Sequence, residues 1–137
     1  MAKGRARGRA RGRESRRRAW RYGRWAETLC VLRLRLAGYA IVARRFRRPV
    51  GEIDIAARRG RVLAVVEVKA RQDPQAAAES LGPRQRRRIR RAALALVAAR
   101  PALAGLDLRF DVMVVAAGPL GLALWPRHIR DAWREDF

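Results

Sequence analysis

The apolar residues of this chain recur with two different periods, which predict the segments that form helices and those that form strands. Between residues 20 and 37, large apolar side chains return every three or four positions, as on one face of a helix: Trp25, Leu29, Leu32 and Leu36. Gly38 follows directly, at a position where helices commonly end. Residues 39–46 then predict a strand, because β-branched residues occupy their centre.

The rest of the chain completes an α/β pattern. Residues 51–57 and 62–69 alternate with period two around a short turn that contains glycine, which predicts a β-hairpin. Residues 84–99 predict a helix with an apolar stripe opposite a row of arginines. The β-prone segment 108–116 predicts a buried strand, and residues 126–133 predict a closing helix that starts at a proline. This order predicts an α/β sandwich with a mixed central sheet.

The predicted hairpin brings charged residues together. If Ala57 pairs with Val62 across the turn, Asp54 faces Val65, and one face carries four ionisable groups: Glu52, Asp54, Glu67 and Lys69. In this register Glu52 faces Glu67, and the opposite face carries core residues: Ile53, Ile55, Val66 and Val68. Crowded carboxylates repel each other, and a hard cation such as Mg²⁺ relieves that repulsion. The spacing fits a solvated strand face equally well, so it leaves both interpretations open.

The net charge predicts a polyanionic partner. The 137 residues include 33 Lys and Arg against 12 Asp and Glu, a formal charge of +21. Nucleic acid is the commonest partner of such proteins, although a membrane surface or another polyanion is an alternative. Residues 1–19 are rich in arginine and predict a disordered basic arm, which leaves residues 20–137 as a single domain.

The apolar content argues against a membrane protein. The longest uncharged segment has 15 residues, shorter than the roughly 18 that span a bilayer. The basic N-terminus is not followed by an apolar segment of the signal-peptide type. We therefore expect a cytoplasmic protein.

Lys69 is unusual for this composition. The chain has 31 arginines and two lysines, and the other lysine, Lys3, belongs to the predicted arm. An amine can lose its proton when burial lowers its pKa, whereas a guanidinium group stays protonated. The choice of lysine beside two acids therefore favours a chemical role for Lys69.

Three motifs resemble those of the uncharacterised YraN-type family: GEID at residues 51–54, VEVKAR at residues 66–71 and RFDV at residues 109–112. That family is similar to the Holliday-junction resolvases and is grouped with the PD-(D/E)xK nuclease-like superfamily. The resemblance extends over residues 22–133. It implies a restriction-endonuclease-like αβββαβ fold and metal-dependent hydrolysis of phosphodiester bonds in structured DNA, branched or flapped.

The resemblance also implies roles for individual residues. Asp54 and Glu67 would bind Mg²⁺ or Mn²⁺, and Lys69 would be the catalytic lysine. Glu27 matches a helical glutamate near the metal, and Gln85 stands where the family often has lysine; a solvated charge and a helix cap are their alternatives. Arginines of the first strand and the second helix would bind backbone phosphates without reading sequence: Arg44, Arg45, Arg47, Arg48, Arg84, Arg87, Arg88 and Arg91.

Other functions fit the same residues. One is a nucleic-acid-binding protein of this fold without catalysis, and another is a basic RNA-binding or ribosome-associated protein. A homodimer is expected by analogy, since a two-fold junction suits a two-fold symmetric protein. We expect Asp111 to serve packing or hydrogen bonding, with metal binding as the minor alternative, and His128 to have a surface or packing role. We expect core and helix-packing roles for the tryptophans, with stacking on bases as the alternative: Trp20, Trp25, Trp125 and Trp133.

Overall fold

The computed structural model describes residues 24–70, 81–116, 118 and 123–134. The predicted arm, residues 1–19, lies outside these ranges. The described elements, in chain order, are helix α1 (24–36), strands β1 (Ala40–Arg48), β2 (Gly51–Arg59) and β3 (Val62–Ala70), helix α2 (Pro83–Ala99), a 3-10 turn (Pro101–Leu103), and strands β4 (Asp107–Val115) and β5 (Arg127–Trp133).

The described strands form one mixed sheet in the order β1-β2-β3-β4-β5. Neighbouring strands are antiparallel except β3 and β4, which are parallel and are joined by the crossover that contains α2. Helix α2 packs on one face of the sheet and α1 on the other, with a hydrophobic cluster beneath each helix. The αβββαβ restriction-endonuclease-like architecture predicted from the sequence is therefore confirmed.

Helix α1 buries a different face from the one that its large residues predict. Trp25 is 65% exposed, and Leu32 and Leu36 are exposed as well. The buried positions carry mostly smaller side chains: Ala26, Cys30, Val31 and Leu34. Small side chains let the helix approach the sheet closely, and this requirement outweighs the burial of the larger ones. The helix is consequently rotated by about one residue, or roughly 100°, from the predicted orientation, and Glu27 turns towards the sheet.

The tryptophans divide between core and surface. Trp133 is buried and stacks on Phe110, with ring centroids 5.3 Å apart. Trp25 and Trp125 are exposed, so their predicted core positions are wrong, while Trp20 lies outside the described residues. The exposed pair belongs to segments whose smaller neighbours, such as Ala26 and Ala123, provide the contacts with the core.

The predicted closing helix over residues 126–133 is wrong. Residues Arg127–Trp133 form β5, antiparallel to β4, with Phe110 opposite Trp133 and Val112 opposite Ile129. A short segment with few apolar residues fits the period of a helix and that of a strand equally well. Here the segment forms a strand because the free edge of β4 offers partners for its backbone hydrogen bonds.

The predicted hairpin register is wrong by two residues. The turn consists of Gly60 and Arg61, and Ala57 pairs with Ala64 instead of Val62. The glycine has φ +59°, a left-handed conformation that suits a two-residue hairpin turn. A shift of two residues does not by itself move side chains to the other face, but it changes the neighbour of each residue across the ladder. Asp54, and not Glu52, thereby comes level with Glu67.

Helix α2 contacts β2 through backbone atoms. A β-carbon at Gly51 would lie 1.8 Å from the carbonyl oxygen of Arg88, so no larger residue fits there without moving the helix. This close approach fixes the N-terminal half of α2 beside the start of β2. Neither helix in the described ranges is long and apolar enough to cross a lipid bilayer.

Candidate active site

Asp54 lies where the ladder between β2 and β3 ends. The last paired residues are Ile55 and Val66, and beyond them the Asp54 carboxylate takes over the role of a backbone acceptor. Its Oδ2 atom accepts a hydrogen bond from the backbone N–H of Val68 at 2.8 Å. The side chain of Asp54 therefore lies between the two strands and is fixed by the main chain of β3.

The strand is irregular at this point, contrary to the sequence prediction. Ile53 and Ile55 were predicted to share a core face, but Ile53 packs in the cluster under α2 and Ile55 in the cluster under α1. On β1, the residue between the partners of these two isoleucines is Arg45, whose φ is +48°. Both strands thus depart from regular alternation around Asp54.

Glu67 lies close to Asp54, and Lys69 lies beside Glu67. Glu67 Oε1 is 3.7 Å from Lys69 Nζ and accepts a hydrogen bond of 2.9 Å from Nε2 of Gln85. The Glu67 and Asp54 carboxyl groups are close enough for the negative charge of Asp54 to raise the pKa of Glu67. Gln85 therefore links α2 to the site, instead of capping the helix.

The environment raises the pKa of both acids. Burial raises the pKa of Glu67 to about 8, and the negative charge of Asp54 adds to this increase, although Lys69 opposes it. Burial also raises the pKa of Asp54, against the hydrogen bond from Val68, which lowers it. Near neutral pH, the two acids share a proton. A divalent cation can displace this proton and bind to the carboxylate oxygens.

Glu27 enters the same region from α1 but is held by arginines. It exposes only 7% of its surface, so it is not a solvated helix charge. Its Oε1 accepts a hydrogen bond from Arg44 Nε at 3.2 Å, and its Oε2 accepts one from Arg45 Nε at 2.8 Å. Within the described ranges, no three Asp, Glu, His or Cys side chains are close enough to hold a metal ion together. A role for Glu27 near the metal stays a prediction.

An open pocket of about 240 Å³ adjoins the carboxylates. Acidic and basic side chains share its wall, which consists of Arg24, Ala26, Glu27, Arg45, Arg47, Asp54, Val68 and Ala70. Arg24 was missed in the sequence, although its position three residues before Glu27 on one helix places both on one side. Glu52 lies outside this pocket and forms an exposed ion pair with Arg47, 3.5 Å between Nε and Oε2.

The arginines form a basic rim at this end of the sheet. Arg84, Arg87, Arg88 and Arg91 are exposed on α2, and in the described part of the chain they have no hydrogen-bond or ion-pair partner. The contact of Gly51 with Arg88 brings them beside the β1–β2 turn, which follows Arg47 and Arg48.

Arginines at the opposite end of the sheet are engaged differently. Arg59 donates a hydrogen bond to the carbonyl oxygen of Ala37, and Arg61 donates one to that of Gly105. These side chains are occupied by the protein itself. The exposed arginines of α2 near the carboxylates, by contrast, donate no such hydrogen bond to the main chain within the described residues.

Asp111 and His128 form a separate buried network, which agrees with the hydrogen-bonding role expected of Asp111. Asp111 is fully buried, and its oxygens accept hydrogen bonds from Arg109 at 2.8 and 2.9 Å, and from the backbone N–H of Asp131 at 2.9 Å. His128 Nε2 lies 2.7 Å from Asp111 Oδ2, and Arg109 also donates to the hydroxyl group of Tyr39. The network ties β5 to β4 and to the residue before β1.

Comparison with known proteins finds closely similar sequences. The family model described as "Uncharacterised protein family UPF0102" matches residues 26–115, a range that contains every site residue predicted from the sequence. The chain is 58% identical over 116 residues to a UPF0102 protein of Parvibaculum lavamentivorans, which covers 85% of this chain and 84% of that protein. It is 49% identical over 122 residues to a UPF0102 protein of Paramagnetospirillum magneticum, covering 86% and 91%, respectively. A UPF0102 protein of Maricaulis maris is 46% identical over 119 residues, covering 87% and 90%.

Proposed function

The chain belongs to the uncharacterised protein family UPF0102, and from this membership and the site geometry we propose that it hydrolyses phosphodiester bonds in structured DNA with a divalent cation. One observation carries the proposal: Asp54 and Glu67, two largely inaccessible acids, lie on adjacent strands close enough to interact, with Lys69 beside Glu67. A pair of acids that repel each other is costly to fold, so its presence calls for a compensating function. Binding a cation would provide it.

Asp54 and Glu67 would hold Mg²⁺ or Mn²⁺. Carboxylate oxygens are the ligands that both ions prefer, and Mg²⁺ commonly uses one or two carboxylates together with water and phosphate oxygens. Such an ion would lower the pKa of a water molecule and offset negative charge on the phosphate. The backbone N–H of Val68 keeps Asp54 in place, and Gln85 does the same for Glu67, so the pair is positioned before any ion arrives.

Lys69 would contribute a positive charge and a proton donor. Its amine lies 3.7 Å from Glu67, in a largely buried position, so it cannot turn far from the carboxylates. From there it would orient the attacking water or stabilise the charge that develops on the phosphate oxygens. A preorganised charge in a partly dry site is more effective than the same charge in solvent.

The basic rim would bind the nucleic-acid backbone. Arginines on α2 and at the end of β1 flank the carboxylates and present cations without any evident means to read bases. Phosphate contacts set the position and orientation of a nucleic acid but carry no sequence information. Recognition of a branched or flapped shape agrees with such a surface better than recognition of a sequence does.

A second function is favoured by the engagement of Glu27. Since no third acidic side chain of the described residues joins Asp54 and Glu67, and both Glu27 oxygens are bound to arginines, the site also fits a binding protein without catalysis. Such a protein would bind DNA or, if it is associated with the ribosome, RNA. The two acids would then share a proton and serve structure alone.

Cleavage assays distinguish these functions. Flap, branched and linear DNA and a structured RNA are incubated with wild type, Asp54→Asn and the control Glu52→Gln, with EDTA, Mg²⁺ or Mn²⁺. The control removes an acid of the same strand that lies outside the carboxylate pair. We expect metal-dependent cleavage of flap or branched DNA by wild type and Glu52→Gln, and a loss of about 100-fold or more in Asp54→Asn. Binding without cleavage in every condition would favour the second function.

A further inference from the structure

Arg44 and Arg45 bind the same carboxylate although they are neighbours in a strand. Consecutive strand residues normally point to opposite faces of the sheet. Here Arg45 has φ +48°, a left-handed conformation that residues other than glycine and asparagine rarely adopt. This conformation turns its side chain towards Glu27, which Arg44 also reaches. Unusual backbone conformations of this kind concentrate at functional sites.

Each of these arginines uses a single nitrogen atom for Glu27. Both arginines make this contact through Nε. The terminal nitrogens Nη1 and Nη2 of the two side chains have no hydrogen-bond partner in the described part of the chain. A guanidinium group has five N–H donors, so four remain on each side chain. Side-chain exposures of 41% for Arg44 and 35% for Arg45 leave these donors accessible from solvent.

The two guanidinium groups open into a cavity beside the carboxylates. A cavity of about 350 Å³ is lined by Arg24, Glu27, Thr28, Arg44 and Arg45, and Arg44 and Arg45 alone outnumber its single acid. Glu27 and Arg45 also line the pocket that contains Asp54. The excess positive charge suits an anion, and the shared wall places that anion next to the site of the proposed reaction.

We propose that Glu27, Arg44 and Arg45 form a phosphate clamp, in which Glu27 positions the two guanidinium groups for a phosphate next to the one bound at Asp54 and Glu67. This proposal rests on the proposed function, because it assigns the neighbouring phosphate of the same DNA strand to the clamp. It makes Glu27 a positioning residue and not a metal ligand. Arginine is suited to this task because its planar fork forms paired hydrogen bonds with phosphate oxygens.

The salt dependence of DNA binding tests the clamp without requiring cleavage. A fluorescent flap DNA is titrated in EDTA at several salt concentrations with wild type, Arg44→Gln, Arg45→Gln and the control Arg61→Gln. Arg61 donates to Gly105 at the opposite end of the sheet. We expect the log–log salt slope to fall by about 0.7 to 0.9 for each clamp arginine removed. Equal slopes for the clamp variants and the control would overturn the proposal.

Lysine variants separate geometry from charge. Arg44→Lys and Arg45→Lys retain the cation but cannot bind Glu27 through one nitrogen and a phosphate through two others. We expect a loss of about three- to tenfold in DNA affinity for each, since a point charge replaces a fork, and no change for Arg61→Lys. Affinities that stay at the wild-type value would show that charge alone matters and would contradict the clamp.

Glu27→Gln gives a result of opposite sign under the two roles of Glu27. Removal of a negative charge should strengthen DNA binding if Glu27 merely opposes the phosphates, whereas loss of the clamp should weaken it. We also expect Mn²⁺ binding, measured by electron paramagnetic resonance, to persist in Glu27→Gln. Tighter DNA binding together with lost Mn²⁺ binding would make Glu27 a metal ligand and overturn the clamp.

The controls keep the clamp separable from the proposed function. Circular dichroism and thermal unfolding identify any variant that fails to fold. If Glu27→Gln does not fold, the salt slopes and affinities of the Arg44 and Arg45 variants test the clamp. A protein that never cleaves DNA but shows the expected changes in salt slope would retain the clamp and lose the nuclease proposal. If Arg44→Lys and Arg45→Lys cleave and bind DNA as well as wild type does, the nuclease proposal would be retained and the clamp would be lost.

Discussion

The carboxylate of Asp54 accepts a hydrogen bond from the main chain of Val68, at 2.8 Å, immediately beyond the last pair of the β2–β3 ladder. A side chain thus replaces a backbone carbonyl as the acceptor for β3. The position of one acid is thereby tied to the strand that carries the other, Glu67. A change in the register of this hairpin would break the hydrogen bond that fixes Asp54, so fold and site depend on the same contacts.

Proton release should accompany metal binding. With the pKa of Glu67 raised to about 8, the metal-free pair holds a proton at pH 7, and a cation must displace it. Calorimetric titration with Mn²⁺ in two buffers of different ionisation enthalpy should give about one proton released at pH 7 and less above pH 8. Heats that are independent of the buffer would show that the acids are already ionised.

Glu67→Gln should stabilise the metal-free protein in a pH-dependent way. Because the pKa of Glu67 is raised on folding, the folded state binds more protons between about pH 4.5 and 8, and its stability falls as the pH rises through this range. We expect the variant to gain on the order of 3 kcal/mol over wild type at pH 8 and little at pH 4.5.

Urea unfolding at both pH values, in EDTA, measures this difference. Glu52→Gln is the matched control, because Glu52 is exposed and paired with Arg47. A variant that is less stable than wild type at pH 8 would mean that Glu67 contributes more through Lys69 and Gln85 than it costs through burial.

Gly51→Ala should destabilise the fold by disturbing α2. The new β-carbon would lie 1.8 Å from the Arg88 carbonyl oxygen, and backbone atoms must move to make room. We expect a loss of about 1–3 kcal/mol, the usual cost of overpacking. Gly82→Ala has open space around its β-carbon, and we expect it to cost about 0.5 kcal/mol or less in the same unfolding assay. Equal effects for both variants would refute the close contact.

Asp111→Asn should be strongly destabilising. Burial alone would raise the pKa of Asp111, but hydrogen bonds from His128, Arg109 and the backbone of Asp131 outweigh it and lower the pKa. Since the folded pKa is lowered, the stabilisation is present above the unfolded value of 3.8 and is lost as the pH falls through the folded value.

Chemical unfolding at pH 7 should show a loss of about 3–5 kcal/mol for this variant, because Arg109 keeps a charge without its partner. Asp107→Asn, at an exposed position of the same strand, should stay within about 0.5 kcal/mol of wild type. A small effect of Asp111→Asn would indicate that water replaces the carboxylate in this network.

The sequence predicts most of the fold because alternation is a local signal. The period of the apolar residues predicts the hairpin, α2 and β4, and it also predicts that the acids lie together on the hairpin. The misplaced elements depend on contacts between distant residues. The face of α1 is set by how closely Ala26 and Cys30 let the helix approach the sheet, and β5 forms because β4 has a free edge.

The site was predictable to the level of residue types but not of contacts. Asp54, Glu67 and Lys69 lie together because they belong to the same end of one hairpin. This holds in the predicted register and in the observed one. The left-handed conformation of Arg45 and the bond between Gln85 and Glu67 have no such local signal. They arise from the packing of helices on the sheet, which a pattern of apolar and polar residues does not specify.

The most direct test of the central claim is the titration of Mn²⁺ into metal-free protein at pH 8, followed by electron paramagnetic resonance. The claim is that Asp54 and Glu67 form a divalent-cation site. Wild type and Glu52→Gln should bind Mn²⁺ with the same affinity, whereas Asp54→Asn and Glu67→Gln should each weaken binding by about tenfold or more. Equal Mn²⁺ affinity in all four proteins would contradict the claim.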